Sequence, residues 1–255
     1  MTLAKQLIRM IALEALRSRL AWVAILAAAL AFGAAQFLAN VALIEADQIQ
    51  AALVAALLRA AGAFLLGTFI ITSMVREAND KVTELLLSQA APRWQYLLGK
   101  LSGYCIVACV VALIFAAPLF AVVPFTRLVP WVVSFACELC IVASVSLFCV
   151  LSLTQVLPAF AATAGFYVLA RSMDAIQAIA SGPLNEGTGW IDVAVNGTVK
   201  AIALVMPGLD RFGLSRWLIE TPPAGADLAS MAMQTAIYLA LIGSASLFDL
   251  YRKSY

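Results

Sequence analysis

The chain has 255 residues, 64% of them hydrophobic and 12% charged, with a formal net charge of +2. Soluble domains are about half apolar and a quarter charged, so this composition excludes an ordinary soluble domain and fits a polytopic helical membrane protein. No histidine is present, which removes Ser-His hydrolases, HExxH metalloproteases and His-ligated haem proteins by inventory.

In chain order, residues 2–19 read as an amphipathic helix. Lys5, Arg9 and Arg17 mark its polar side, and Leu3, Leu7, Met10, Ile11 and Leu16 supply apolar surface. Such a helix lies in the membrane interface, with its basic side toward lipid headgroups. Charges spread through residues 1–19 leave no uninterrupted apolar stretch of the kind a cleaved secretory signal needs.

A spanning helix needs about 20 mostly apolar residues. Six segments meet that requirement: roughly 20–41, 51–75, 101–123, 130–150, a segment from after Pro158 to about 179, and 228–248. Alanine, glycine and serine are frequent in them, which suits close approach of helices in lipid. The basic residues are distributed unevenly. Lys5, Arg9, Arg17 and Arg19 precede the first span, Arg76, Lys81, Arg93 and Lys100 separate the second from the third, and Arg252 and Lys253 follow the last. These are ten of the sixteen in the chain. The positive-inside bias therefore puts both termini in the cytoplasm.

Residues 76–100 are the most polar part of the chain. Within them 79–89 has helical spacing: Val82, Leu85, Leu86 and Gln89 share one face, and Asp80, Lys81 and Glu84 another. Asn79 or Asp80 is suited to cap its start, and Glu84 to the early turns, where negative charge favours the helix dipole. By spacing alone this is either a docking element for a soluble partner or a solvated loop helix. Residues 180–226 form the longest outer connection. A turn-rich "SGPLNEGTGW" is followed by "VNGTVKAIALVMPG", whose apolar run is too short to cross a bilayer and suits a re-entrant or interfacial helix.

Two ionisable residues fall well inside spans, Arg59 and Glu138. Intramembrane charges are costly and are candidate pathway residues. Arg59 is close enough to the outer end to snorkel outward, and the two also stand at depths where they could pair. Cys105, Cys109, Cys137, Cys140 and Cys149 all lie in apolar runs and read as packing residues, with no metal site among them. There is no GxxxxGK[ST] and no GxSxG motif, so the chain carries neither that phosphate cradle nor a nucleophile elbow.

The stretch "REANDKVTELLLSQAAPRWQYLLGK" resembles the cytoplasmic segment of ABC-2-type transporter permeases. The matching positions are Glu77, Thr83, Glu84, Leu85, Leu86, Leu87, Ser88, Arg93, Trp94, Leu98, Gly99 and Lys100. Val82 stands where the family often has glycine, and Ala90 where proline is common, with Pro92 two places later. "IALEALRSRLAW", "VMPGLDRF" and "SLFDLYRKSY" resemble the family's approach to the first span, its Pro-x-x-Asp-x-Phe element and its basic tail. The nearest subgroup is the NosY-like permeases associated with maturation of multicopper enzymes.

The resemblance implies a single all-α transmembrane domain over 1–255. It would have six spans, the interfacial helix at 2–19, a cytoplasmic coupling helix between spans two and three, and short re-entrant helices within 180–226. It implies a permease subunit of an ATP-driven exporter in a bacterial cytoplasmic membrane, paired with a second copy of itself and with two copies of a separate ATPase. ATP and Mg would sit in that ATPase, leaving this chain without a cofactor or catalytic residue of its own. Glu77, Asp80, Lys81, Thr83, Glu84, Leu85, Leu86 and Ser88 are the implied ATPase contact, with the turn near Leu153–Pro158 as a minor one, and Arg59 and Glu138 are pathway candidates. A periplasmic accessory protein is a further candidate partner, and nucleic acid is not one. The rival reading is a non-transporting membrane scaffold or regulatory subunit of an ATPase complex.

Overall fold

A computed structural model describes residues 3–41, 46–81, 92–120, 123–180, 190–213 and 225–252. Within them the chain is helical throughout, in nine helices: α1 (Leu3–Arg17), α2 (Leu20–Val41), α3 (Ala46–Asn79), α4 (Arg93–Leu119), α5 (Phe125–Leu153), α6 (Val156–Ala180), α7 (Trp190–Val205), α8 (Leu209–Phe212) and α9 (Gly225–Arg252). Five of them, α3 to α6 and α9, are long and apolar enough to cross a membrane. The bent pair α1–α2 makes a sixth if counted as one span.

α5 forms the centre of the bundle. α3, α4, α6 and α9 all pack on it, and its buried residues include the continuous run Ile141 to Leu147. A helix apolar on all sides belongs inside a bundle. Helices nearer the lipid bury only one face. On α3 that face is readable as Arg59, Leu66, Ile70 and Ser73, all buried, continued by half-buried Glu77. The spacing of seven, four, three and four keeps these side chains on one stripe.

α1 does not lie free. Leu7, Ile11 and Ala15 are buried, and α1 packs mainly on α4. Gly103 of α4 is the reason they fit: a Cβ there would meet Ile11 Cδ1 at 2.7 Å. Ser18 ends α1 by donating to Ala15 O (2.9 Å) and starts α2 by accepting from Leu20 N–H (3.2 Å). The two helices meet at 54°.

Four of the boundaries that differ from the sequence expectation involve a proline or a polar run. α5 begins at Phe125 and runs through Pro130, and α6 begins at Val156 with Pro158 in its first turn. α4 carries Pro118 inside and ends at Leu119, ahead of Val123. Proline lacks only an N–H, which a first turn does not use, and neighbouring helices make an interior proline tolerable in a bundle. The fourth difference is at α3, which continues past Val75 to Asn79. At 34 residues it is about 51 Å long, against a hydrocarbon core of about 30 Å. Asn79 therefore ends a helix and does not cap a new one. Lys81 follows it in the left-handed region, at φ 55°.

Candidate functional site

The buried charges of the bundle converge on one carboxylate. Arg59 on α3 is 1% exposed and Glu138 on α5 is 0% exposed. Arg59 Nη1 donates to Glu138 Oε2 in a buried ion pair. Its Nη2 donates to Ser134 Oγ at 2.7 Å, and to the Trp131 carbonyl at 3.5 Å. The guanidinium also lies over the rings of Trp131 and Phe135, at 5.1 and 5.4 Å from their centroids. A desolvated cation is favoured by the negative faces of aromatic rings. Arg59 thus turns into the bundle rather than snorkelling outward: its hydrogen-bond and ring partners among the described residues all lie on α5.

Glu138 Oε1 accepts from two groups on α6: Tyr167 Oη at 3.1 Å and Arg171 Nη1 at 3.2 Å. The same Arg171 Nη1 donates to Leu209 O on α8 at 3.2 Å. Gly213, just past α8, lies against this guanidinium, and a Cβ there would overlap it. Leu209 and Phe212 are themselves fully buried. One carboxylate therefore ties α3, α5 and α6 together, and Arg171 extends the tie to the short α8. Tyr238 on α9 adds a separate link, donating to Val205 O at the end of α7 (3.0 Å).

Tyr167, Arg171 and Ser134 were not among the candidate residues. Each sits four positions from another member of the cluster on the same helix: Ser134 from Glu138, and Tyr167 from Arg171. That i, i+4 spacing of polar residues in adjacent apolar spans was the available signal.

A second set of charges closes the opposite end of α3. Lys100 on α4, 2% exposed, pairs with Glu77. Its ammonium lies 6.0 and 5.9 Å from the ring centroids of Tyr96 and Tyr104. Glu14 on α1 accepts from Ser73 Oγ at 2.8 Å and pairs with Arg76. Arg93 Nη1 donates to Leu250 O at 2.7 Å, which fastens the start of α4 to the end of α9. Ser152 Oγ donates to Asp249 Oδ2 at 3.0 Å, joining the ends of α5 and α9 beside Thr154, which caps α5 in the left-handed region.

Of the residues in the permease-like stretch, Glu77 is thus engaged inside the chain, and Asp80 and Lys81 are exposed at the tip of α3. Thr83, Glu84, Leu85, Leu86 and Ser88 lie outside the described residues. The Pro-x-x-Asp-x-Phe element, Pro207 to Phe212, spans the turn into α8 against Arg171. Cys137 and Cys140 pack partly buried against the core.

The arrangement carries no nucleophile–base pair among the described residues. Its chemistry is that of charges holding helices in register: one buried carboxylate at one level of α3 and an ion pair at its protruding end. No protein-family model and no curated protein matches this sequence.

Proposed function

We propose that this chain is the permease subunit of an ATP-driven exporter of the ABC-2 type, in which a separate ATPase docks on the segment between α3 and α4. The observation that carries the reading is the placement of Glu77 and Arg59 on α3. They are 18 residues apart, five helical turns or about 27 Å, and so share one face. Glu77 pairs with Lys100, and these two are the first and last matching positions of the permease-like stretch. The stretch is thereby tied together at its two ends, where it meets two long helices.

A partner that pulls on this segment moves α3 and α4 as a unit, because the Glu77–Lys100 pair and the contact of Phe69 with Tyr104 hold them together. The same rigid α3 carries Arg59 and its carboxylate partner toward the outer side. Displacement at the cytoplasmic base is then felt where α5, α6 and α8 meet. In this reading 79–89 contains the coupling contact, shifted past the end of α3 to begin after Lys81, and α7–α8 form the outer re-entrant element. Both termini are cytoplasmic, in agreement with the basic flanks, and the path for substrate lies between two copies of the chain.

The test is purification of the chain with its cognate ATPase. Leu85→Asp together with Leu86→Asp should lower ATPase retention at least about 100-fold, since each buried leucine contributes roughly 1.5–3 kcal/mol. Glu84→Gln should weaken it by no more than about fivefold, as expected for one exposed ion pair. Full retention and full ATP turnover in the double aspartate variant would refute the docking assignment. ATP-dependent flux in proteoliposomes separates an exporter from a non-transporting scaffold, which would keep the ATPase and move nothing.

A further inference from the structure

The elbow between α1 and α2 leaves a trough on the surface of the bundle. Its first part is a cavity of about 120 Å³ bordered by Leu16, Leu20 and Ala21 at the elbow and by Ile106 and Val110 on α4. A second cavity of about 510 Å³ continues along the seam of α2 and α4, past Ala28 to Phe32 and Pro118. Ile114 borders both, so the two lie end to end along the same seam. Alanines on α2 set its depth, because a methyl group leaves room that a leucine would fill.

The dimensions match a lipid tail. From Leu20 to Phe32 is 12 residues, about 18 Å of helix rise, and one leaflet of a bilayer core is about 15 Å thick. The lining is apolar along its length. At the elbow end the character changes abruptly. Arg17 and Arg19 flank the trough's first residues, both are exposed, and neither is in a salt bridge among the described residues. Trp22, 75% exposed, stands beside them, a side chain suited to the headgroup level.

We propose that this trough is a binding site for an anionic glycerophospholipid. One acyl chain lies along the α2–α4 seam, and the phosphate accepts hydrogen bonds from the guanidiniums of Arg17 and Arg19. Guanidinium and phosphate suit each other in charge and in fork geometry. A zwitterionic lipid can seat the same chain but brings its own cation to the two arginines, so the site discriminates by headgroup. The site requires only that the chain sits in a bilayer and is independent of the ATPase proposal above.

Native mass spectrometry of the full chain, titrated with phosphatidylglycerol or phosphatidylcholine of identical tails, tests it. The expected result is one tightly retained phosphatidylglycerol and weaker phosphatidylcholine. Arg17→Gln with Arg19→Gln should weaken phosphatidylglycerol about 30-fold and leave phosphatidylcholine unchanged. Ala21→Phe, which plugs the trough, should weaken both lipids, and Ala21→Leu should do so partially without the risk of a folding defect. Unchanged phosphatidylglycerol binding in the arginine variant overturns the site. So does a loss in the arginine variant with no loss in either Ala21 variant, which would mean headgroups on the surface and no seated chain. Dissociation of a dimer by Ala21→Leu with lipid binding intact would assign the trough to a second copy of the chain and equally overturn it.

Discussion

The two charged regions of α3 are built from the same chemistry and held under opposite conditions. At Arg59 the pair with Glu138 is sealed, with side-chain exposures of 2% and 0%. At Arg76 the pair with Glu14 is open, at 64% and 22%. Lys100–Glu77 stands between them, at 2% and 14%. Within 18 residues of one helix, the cost of losing a partner therefore passes from that of a stranded buried charge to that of a solvated one. The lesson is that identity of charges says little about their worth, and that desolvation sets it.

The largest effect should come from Glu138→Ala. It leaves Arg59 without its anion inside the bundle and deprives Tyr167 and Arg171 of their acceptor, at about 3–5 kcal/mol. Thermal unfolding in detergent should show a marked loss or failure to assemble. Arg59→Met combined with Glu138→Met should recover part of it, since a well-packed apolar pair avoids the stranded charge. If the double variant is no better than Glu138→Ala alone, the cluster's worth lies in Arg171 and α8 rather than in the Arg59 pair.

Gly62→Ala sharpens the same region. A Cβ there meets Phe135 Cζ at 2.6 Å and Phe115 at 3.2 Å, and these rings are stacked and buried, with Phe135 against the Arg59 guanidinium. Overpacking should cost about 1–3 kcal/mol, partly offset by alanine's better helix propensity of about 1 kcal/mol. Gly103→Ala at the other end meets Ile11 Cδ1 at 2.7 Å and Ile11 Cβ at 3.3 Å, so it should loosen α1 and lower the unfolding temperature, by less than Gly62→Ala because the nearest atom is the end of a flexible side chain.

The smallest effect belongs to the open pair. Arg76→Gln should change stability by no more than about 1 kcal/mol, with a difference from the parent that shrinks as salt is added. A loss as large as that of Glu138→Ala would break the comparison outright and make Glu14 the principal anchor of α1.

Much of the fold was legible in sequence because bilayers impose a length. The runs at 20–41 and 101–123 announced helices, and the amphipathic residues 2–19 announced α1. What misled were the prolines at 130 and 158 and the polar residues at 76–79, since local breakers and polar side chains mark boundaries in water more reliably than in a packed bundle. The site was half legible: Arg59 and Glu138 stood out as intramembrane charges, whereas neither Arg171 nor Tyr167 was singled out as a candidate.

The sequence by itself determined that the chain is helical, richly apolar and asymmetric in its basic residues, because hydropathy, period and charge bias are properties of segments. Only the tertiary structure decided which charges are partners. Arg59 meets Glu138 across 79 residues of chain and Arg76 meets Glu14 across 62. Such meetings depend on helix packing, on α5 taking the centre and on Gly103 admitting α1, and no local pattern encodes them. Burial, which sets what each pair is worth, is likewise a property of the assembled bundle and not of any segment within it.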